Sequence, residues 1–286
     1  MKKHSQMTGL EKGLKKGLDS LYNKYSLQWI ETDPVCIPHK YTADEDIETA
    51  GFIAAVLAYG KVSLFLPKIT MIMDFLNPSP YESLKNLNHK QLGKLDHFYY
   101  RFQTSDDIKY FLTGLSNVIK KHARIKNLFL EGYHTQDENI LPALNYFILS
   151  FRKVIEENGM KLSHGLSHLI PMQGNGAMKR LNMFLRWMVR KDNIDFGIWK
   201  EIRPSQLIIP VDTHINRISG YLNLAKRKNA DIKSAIEITN FLKKLSAEDP
   251  VKYDFALTRL GMYFCNSQNQ NRCWECILKD YCVNGN

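Results

Sequence analysis

The chain has 286 residues, of which 44% are hydrophobic, and a formal net charge of +10. This length suits one large domain or two smaller ones, and the apolar fraction is enough for a buried core. No apolar run reaches the roughly 18 residues of a membrane span, and the basic N-terminus lacks the apolar stretch of a secretory signal. We therefore expect a cytoplasmic protein without a membrane partner.

The surplus of lysine and arginine favours a polyanionic partner, and nucleic acid is the leading candidate. If the partner is DNA, we expect the protein to be associated with the nucleoid. A basic surface that serves only solubility is the alternative, and charge by itself does not separate the two.

Apolar residues recur mostly at helical spacing along the chain. Residues 46–76 predict a buried helix, a turn near Gly60 and a second helix. Further amphipathic helices are predicted, in chain order, over 106–122, 141–157, 177–191, 235–245 and 251–264. Strand-like patterning is scarce, and the short apolar stretch 206–211 is the main example. The sequence therefore predicts an all-α protein.

Four of the five cysteines lie close together near the end of the chain, at positions Cys265, Cys273, Cys276 and Cys282. The middle two are separated by two residues, so both thiolates can reach one metal centre, and the outer two complete a set of four sulfurs. Such a set suits zinc or an iron–sulfur cluster. The compact spacing favours a [4Fe–4S] cluster, and zinc is the alternative. Two disulfides are disfavoured because they are rare in the cytoplasm.

A second signal is the sequence PVDTHINRI (210–218), which brings Asp212 to the expected start of a helix. An aspartate at this position can cap the helix, because its side chain accepts hydrogen bonds from backbone N–H groups. It can also be a reactive carboxylate held beside a binding groove. Both interpretations of Asp212 are open from the residues alone.

PVDTHINRI followed by the four-cysteine segment (265–282) resembles endonuclease III and its relatives, the helix-hairpin-helix DNA glycosylases with a C-terminal [4Fe–4S] loop. The whole chain is similar to a bacterial branch of this superfamily, marked by KRLNMFLRWMVRKDNIDFGIW (179–199). The resemblance implies that Asp212 is the catalytic aspartate and that the four cysteines are the cluster ligands. The chain carries one extra residue between the first two cysteines.

In this family a glycine-containing hairpin precedes the catalytic aspartate, and the matching stretch is LIPMQGNGAMKRLNMFLRW (169–187). Gly174 and Gly176 are expected to form the hairpin turn. Their N–H groups lie at the start of the following helix, where they can bind a DNA phosphate that a side chain would keep away. The resemblance implies DNA contacts by both glycines.

Bifunctional members of the family carry a nucleophilic lysine shortly after the hairpin. Alignment on the glycines places Met178 at this position, and alignment on Asn182 places Lys179 there. Lys179 precedes Asp212 by 33 residues, a longer spacing than in endonuclease III, and the stretch 190–206 accounts for the difference. Lys179 is therefore expected to be either the nucleophile or a phosphate contact.

Further DNA contacts are expected from residues that flank these positions. Arg180 follows the candidate lysine, and His214 and Arg217 follow the candidate aspartate. Tyr59 and Lys61 come directly after the early core helix, where the family has groove contacts.

The resemblance implies a two-lobed helix-hairpin-helix DNA glycosylase-like fold with a C-terminal four-cysteine cluster loop. Residues 40–190 would form a helical barrel lobe that ends in the hairpin. Residues 1–39 and 191–286 would form the second lobe, which carries the cluster loop at 265–282.

The expected protein is a monomeric base-excision DNA N-glycosylase, with or without AP-lyase activity, that acts on a flipped-out modified base in double-stranded DNA. A non-catalytic DNA-binding or structure-sensing protein on the same scaffold is the alternative. A zinc-stabilised nucleic-acid module unrelated to repair is a third hypothesis.

Overall fold

The structure is a computed structural model that describes residues 7–25, 27–171, 176–266 and 270–283. In these residues the protein is all-α, as predicted, and β structure is limited to isolated bridges. The α-helices are, in chain order, α1 (Gly9–Lys24), α2 (Asp44–Leu57), α3 (Val62–Phe75), α4 (Pro80–Lys85), α5 (Ser105–His122), α6 (Ile125–Leu130), α7 (Leu141–Glu157), α8 (His164–Leu169), α9 (Lys179–Val189), α10 (Thr213–Tyr221), α11 (Ile232–Leu245) and α12 (Asp254–Arg259).

Short helical turns connect these helices. Most are 3₁₀ turns, at Leu27–Trp29, Pro34–Cys36, Pro38–Lys40, His89–Leu95, Pro204–Gln206, Gln270–Glu275 and Lys279–Tyr281. One is a π-helix, Leu260–Phe264, which continues α12 as far as the first cysteine of the C-terminal segment. The six helical stretches that the sequence predicted are all present, with ends shifted by a few residues.

The helices group into two compact units. The inserted unit is Ile30–Gly174, and the terminal unit combines Met1–Trp29 with Asn175–Asn286. The sequence placed the two boundaries at residues 39/40 and 190/191, whereas the compact units of the structure meet at 29/30 and 174/175.

The second boundary differs because α9 packs within the terminal unit. On α9, Phe184 lies edge-to-face against Trp199, with ring centroids 5.3 Å apart. The buried guanidinium of Arg186, also on α9, pairs with Asp254 of α12. These contacts join α9 to residues that follow it at a distance in the chain. The local sequence pattern of α9 therefore does not reveal which unit the helix joins.

The inserted unit is built around α2. This helix is mostly apolar, and every residue from Ile47 to Leu57 is buried. Phe52 at its centre contacts three aromatic rings, Phe111 of α5 and Phe147 and Phe151 of α7, at centroid distances of 5.8–6.0 Å. The core of this unit is therefore an aromatic cluster around α2.

The predicted turn after α2 is formed at Gly60, which has φ +84°. This left-handed backbone conformation favours glycine. A Cβ atom here would also lie 2.6 Å from Nη1 of Arg101 and 2.9 Å from the hydroxyl oxygen of Tyr100. The turn places Tyr59 and Lys61 on either side of Gly60, next to the turn that contains Arg101.

In the terminal unit the stretch 190–206 packs against α9. The Phe196 N–H donates to the Trp187 carbonyl at 2.8 Å, and the Trp199 N–H donates to the Met188 carbonyl at 2.8 Å. Trp187 and Trp199 are fully buried. The stretch that lengthens the lysine-to-aspartate spacing is therefore a part of the core.

Two buried arginines of this unit are held by aspartates. Arg186 pairs with Asp195 at 3.1 Å and with Asp254. Arg190 pairs with Asp195 and donates from Nε to Asp249 at 2.9 Å. We call these five residues, together with Asp192, which is 3.0 Å from Arg190, the arginine network. It joins α9, the 190–206 stretch and the start of α12.

Helix α1 packs against the C-terminal cysteine segment at two glycines, Gly13 and Gly17. A Cβ on Gly17 would lie 2.7 Å from Cδ2 of Leu278, which is buried, and a Cβ on Gly13 would clash with the Tyr281 ring. The two glycines are four residues apart and so share one face of α1. Because neither of these two positions carries a side chain, the segment with Cys273, Cys276 and Cys282 can pack closely against this face.

We predict that Gly17→Ala destabilises the protein by about 1 kcal/mol relative to Gly9→Ala, because the new methyl group displaces buried Leu278. Gly9 lies on the same helix with no heavy atom within 4 Å of an added Cβ, so it is the matched control. Urea unfolding followed by circular dichroism measures the difference. Equal stability of the two variants would show that the close packing is unimportant.

Candidate functional site

The candidate site begins at the first turn of α9. Met178, the residue before the helix, has φ 48° and ψ 34°, a left-handed conformation that is uncommon outside glycine and that concentrates at functional sites. Lys179 follows as the first residue of α9, and its side chain is 34% exposed. Its Nζ lies 3.7 Å from Oδ2 of Asp212. Lys179, one of the two residues that alignment suggested, thus lies beside the aspartate.

Asp212 uses its two carboxylate oxygens differently. Oδ1 accepts hydrogen bonds from the N–H groups of His214 at 2.9 Å and Ile215 at 2.8 Å, so it caps α10. Oδ2 faces Lys179. Capping therefore leaves Oδ2 available, so the cap does not exclude a reactive role for Asp212, which stays a prediction.

A third ionisable residue of this site, Asp254, has no counterpart in the sequence predictions. It is the first residue of α12 and is buried, with 3% of its surface exposed. Its Oδ2 accepts a hydrogen bond from Arg186, whereas Oδ1 has no hydrogen-bond partner. Burial raises the pKa of Asp254 to about 6, and the Asp212 carboxylate acts in the same direction against the opposing charges of Arg186 and Lys179.

The sequence does not single out Asp254, because an aspartate in the first turn of a helix is an ordinary helix-start residue. The arginines of α9 are a better indication that a buried acidic residue is present. Arg186 and Arg190 stand on a helix whose residues from Leu181 to Val189 are all buried, and buried arginines need acidic partners. The sequence can raise the question of those partners but cannot identify them.

His214 and Arg217, two predicted DNA contacts, lie against the start of the cysteine segment. Nη2 of Arg217 donates to the carbonyl oxygens of Gly261, at 2.9 Å, and Cys265, and it lies 3.4 Å from Nδ1 of His214. A Cβ on Gly261 would lie 2.7 Å from the His214 Cβ. These contacts join α10 to the π-helix, and a DNA contact by either side chain stays a prediction.

Among the described residues no disulfide joins the four C-terminal cysteines, and each of them is partly buried. In the described part of the chain, no three Cys, His, Asp or Glu side chains are gathered closely enough to hold a metal ion. Burial raises the pKa of the Cys265 and Cys276 thiols, and the neighbouring thiols of Cys273 and Cys282 raise both further. The four sulfurs are therefore close enough to interact electrostatically, and in number and type they fit zinc or an iron–sulfur cluster.

A second surface, in the inserted unit, contains Tyr59. The Tyr59 ring is nearly parallel to Phe102, at a centroid distance of 6.3 Å, and the Arg101 guanidinium lies 5.6 Å from the centroid of each ring. Arg101 has φ 51°, and Phe102 is 46% exposed. The sequence predicted DNA contacts at Tyr59 and at Lys61, which is also exposed, but not at Arg101 or Phe102.

Arg101 and Phe102 could have been identified from a pattern in the sequence. FYYRF (98–102) is an aromatic and basic run in a connection between helices, a combination that is typical of surfaces on which bases stack. We call Tyr59, Lys61, Arg101 and Phe102 the aromatic surface.

The predicted hairpin turn is described in part. Gly174 lies outside the described residues. Gly176 is exposed, pairs with Asp231 in an isolated bridge, and has open space where a Cβ would be. Arg180 lies in the first turn of α9, partly exposed. No close packing or left-handed backbone explains the glycine at 176.

Near Gly176 runs a short basic loop, Lys226–Lys228, whose three side chains are exposed. The Asn216 side chain of α10 donates to the Lys228 carbonyl at 2.9 Å, and Arg227 pairs with Asp231 at 2.5 Å. These contacts tie the basic loop to α10 and to the residue that bridges Gly176.

Residues 33–263 match the family described as "Protein of unknown function (DUF2400)". The chain belongs to this family. No match was found among curated proteins or among solved structures. The DUF2400 match includes Lys179, Asp212 and Asp254 and ends before Cys265.

Membership of the DUF2400 family thus covers the ionisable site and not the cysteine segment. Among the described residues of this member, no helix combines the length and apolar composition that crossing a membrane requires.

We predict that Asp212→Ala destabilises this DUF2400 protein by about 1 kcal/mol, because α10 loses the acceptor at its N-cap. Asp212→Asn retains an acceptor at the same position and should keep the native urea midpoint within experimental error. Equilibrium urea unfolding of the two variants beside the parent protein checks this. A similar loss of stability in both would mean that the charge of Asp212, and not its cap, stabilises the helix.

Proposed function

We propose that this DUF2400 protein is a base-excision DNA N-glycosylase, with or without AP-lyase activity, and that Lys179 and Asp212 act on the sugar of a flipped-out nucleotide. One observation carries the proposal. An amine and a carboxylate that stand 33 residues apart are brought to 3.7 Å at the starts of two helices. The resemblance of the surrounding sequence to helix-hairpin-helix glycosylases gives this pair its chemical meaning.

Cleavage of an N-glycosidic bond places positive charge on the sugar as the base departs. A carboxylate near C1′ stabilises that charge or activates the attacking group. Oδ2 of Asp212 is available for this task, and the two N–H bonds to Oδ1 hold the carboxylate in a fixed orientation. A group that is already oriented needs no rearrangement as charge develops.

The Lys179 amine supplies the second half of the proposed chemistry. A neutral amine attacks C1′, the bond to the base breaks, and loss of a proton with opening of the sugar leaves a Schiff base, which permits strand cleavage. Lys179 is partly exposed at the start of α9, so a substrate can reach it. If water attacks instead, the enzyme releases the base without cutting the strand.

Contacts to double-stranded DNA are proposed for each unit separately. In the terminal unit, Gly176 has open space beside its backbone, and the basic loop lies next to it. In the inserted unit, the aromatic surface combines an exposed ring with exposed cations. Phosphate contacts position the duplex, and aromatic rings stack on displaced bases.

The four C-terminal cysteines are proposed to hold a [4Fe–4S] cluster, with zinc as the alternative. Such a group would stabilise the fold of the C-terminal segment, which packs on α1 and α10. The backbone already ties the end of this segment to α10, because the Val283 N–H donates to the Tyr221 carbonyl at 2.9 Å. We further propose a monomer located with the nucleoid.

The second candidate is a non-catalytic DNA-binding or structure-sensing protein. It is favoured by the exposure of Lys179, since a lysine at a helix start beside an open glycine also suits a contact to phosphate. The two candidates make the same prediction for DNA binding and opposite predictions for base release.

The deciding experiment screens the purified protein against duplexes that each carry one modified base. We expect release of at least one base, and Asp212→Asn should reduce the rate by more than about 100-fold with DNA affinity nearly unchanged, because the variant loses only charge stabilisation. Borohydride trapping tests the lyase step: Lys179→Gln should lose the adduct, whereas Arg180→Gln, one residue further on, should keep it.

DNA binding with no release from any duplex would favour the non-catalytic candidate. Loss of affinity in Asp212→Asn would mean that this aspartate shapes the DNA-binding surface.

The basic loop gives a separate prediction about DNA affinity. Lys226→Gln with Lys228→Gln should reduce the slope of log Kd against log salt by about 2, because two phosphate contacts are lost. Lys12→Gln with Lys16→Gln removes the same charge from the exposed side of α1 and should leave the slope almost unchanged. Titrations at several salt concentrations measure both. Equal slopes for the two variants would exclude a phosphate-binding role specific to the loop.

A further inference from the structure

Asn182 follows Lys179 in the first turn of α9 and is buried, with 1% of its surface exposed. Its side-chain Nδ2 donates to the carbonyl oxygen of Ala177 at 3.1 Å. Its backbone N–H donates to the carbonyl oxygen of Met178 at 3.0 Å. Asn182 therefore binds both of the carbonyl groups that directly precede Lys179 in the chain.

The orientation of the Asn182 side chain follows from its partner. The end that faces the Ala177 carbonyl must be the NH₂ group, because a carbonyl oxygen accepts hydrogen bonds and does not donate them. The other end, Oδ1, is buried and has no hydrogen-bond partner in the described part of the chain. A buried acceptor without a partner is unfavourable. The bond to Ala177 is therefore the contact that favours asparagine at this position.

The two bonds from Asn182 enclose the left-handed residue of the site. The Ala177 carbonyl belongs to the peptide group before Met178, and the Met178 carbonyl belongs to the peptide group after it. The rotation between these two peptide groups is set by φ and ψ of Met178, which are 48° and 34°. Asn182 thus holds the two groups that define the backbone conformation of Met178.

Met178 needs such support. A left-handed conformation is unfavourable for a residue with a Cβ atom and persists only where surrounding contacts determine it. The Met178 side chain makes no capping hydrogen bond to α9. Lys179 shares a peptide group with Met178, so the direction in which the lysine leaves the turn depends on this conformation. Its Nζ lies 3.7 Å from Oδ2 of Asp212.

We propose that Asn182 is a positioning residue of the candidate site, which holds the turn at Met178 and thereby the Lys179 amine beside Asp212. It acts through the backbone and not by contact with the reacting atoms. The inference deepens the proposed function and rests on it for the use made of the amine. The position of the amine itself can be measured without DNA.

The first measurement concerns the turn. Ala177–Met178 is the one Ala–Met pair in the sequence. Alanine labelled with ¹³C at the carbonyl carbon and methionine labelled with ¹³C and ¹⁵N therefore give a single NMR signal that identifies Met178. The three-bond couplings across φ of this residue report the sign of φ. We expect a positive φ in the parent protein and its loss in Asn182→Ala, because the donor to Ala177 is removed.

The second measurement concerns the lysine. Lysines carrying ¹³C-methyl groups give separate NMR signals, and Lys179→Arg identifies the signal of Lys179. Asp212→Asn should shift this signal in the parent protein, because the carboxylate lies 3.7 Å from Nζ. In the Asn182→Ala background the same substitution should shift the signal by less than about half as much, because Coulomb interactions weaken with distance.

Asn158→Ala is the matched control. The Asn158 side chain also donates to a backbone carbonyl, that of Val154 at 2.7 Å, but it lies at the end of α7 in the inserted unit. In this variant Met178 should keep its positive φ, and Asp212→Asn should shift the Lys179 signal in full. An Asn182→Ala protein that behaves as the parent does, or the same changes in both variants, would overturn the proposal.

The parent protein decides the matter if Asn182→Ala does not fold. A positive φ at Met178 together with slow hydrogen exchange of the Asn182 side-chain amide supports the proposal. A negative φ, or an Asn182 amide that exchanges as fast as that of Asn158, which is exposed, overturns it.

Reaction with DNA separates this proposal from the proposed function. Asn182→Ala should lower the rate of borohydride trapping by about 10-fold or more with DNA affinity nearly unchanged, because a small displacement of a reacting group slows a reaction strongly. A parent protein that traps no DNA but shows both NMR results keeps the positioning role and loses the lyase activity. A parent protein that traps DNA at a rate which Asn182→Ala does not change keeps the activity and loses the positioning role.

Discussion

The buried guanidinium of Arg186 is the group on which the terminal unit and its candidate site depend. It binds Asp195 and Asp254 at once, and so joins α9, the stretch after it and α12. Loss of one partner of a buried ion pair typically costs about 3–5 kcal/mol, because the remaining charge is left without compensation. Lys179 lies two turns before Arg186 on the same helix, so the network that holds the core also positions the candidate nucleophile.

Asp212 combines a structural contact with a position beside the candidate nucleophile. Its cap orients α10, and the free oxygen of the same carboxylate is directed at Lys179. Further along α10, Arg217 donates to the carbonyl oxygens of Gly261, in the π-helix, and of Cys265, directly after it. The start of the cysteine segment and the candidate site are therefore supported by one short helix, and a group bound by the cysteines would stabilise both.

The two units contribute different properties to the proposed activity. The terminal unit carries the ionisable pair and the basic loop, and the inserted unit carries the aromatic surface. In the latter, Arg101 has a left-handed backbone, and the resulting turn packs against Gly60. Left-handed residues other than glycine concentrate at functional sites, which supports the proposed contact of Arg101 and Phe102 with displaced bases.

Local features of this protein follow from its sequence because they depend on neighbours in the chain. Helical periodicity, the cap at Asp212, the turn at Gly60 and the spacing of the four cysteines are all of this kind. The tertiary structure alone decided that Lys179 lies beside Asp212, that α9 belongs to the terminal unit, and that Asp254 joins the site. Asp254 is 42 residues from Asp212 in the chain. Its unpartnered oxygen and its raised pKa arise from packing between helices, which no local pattern encodes.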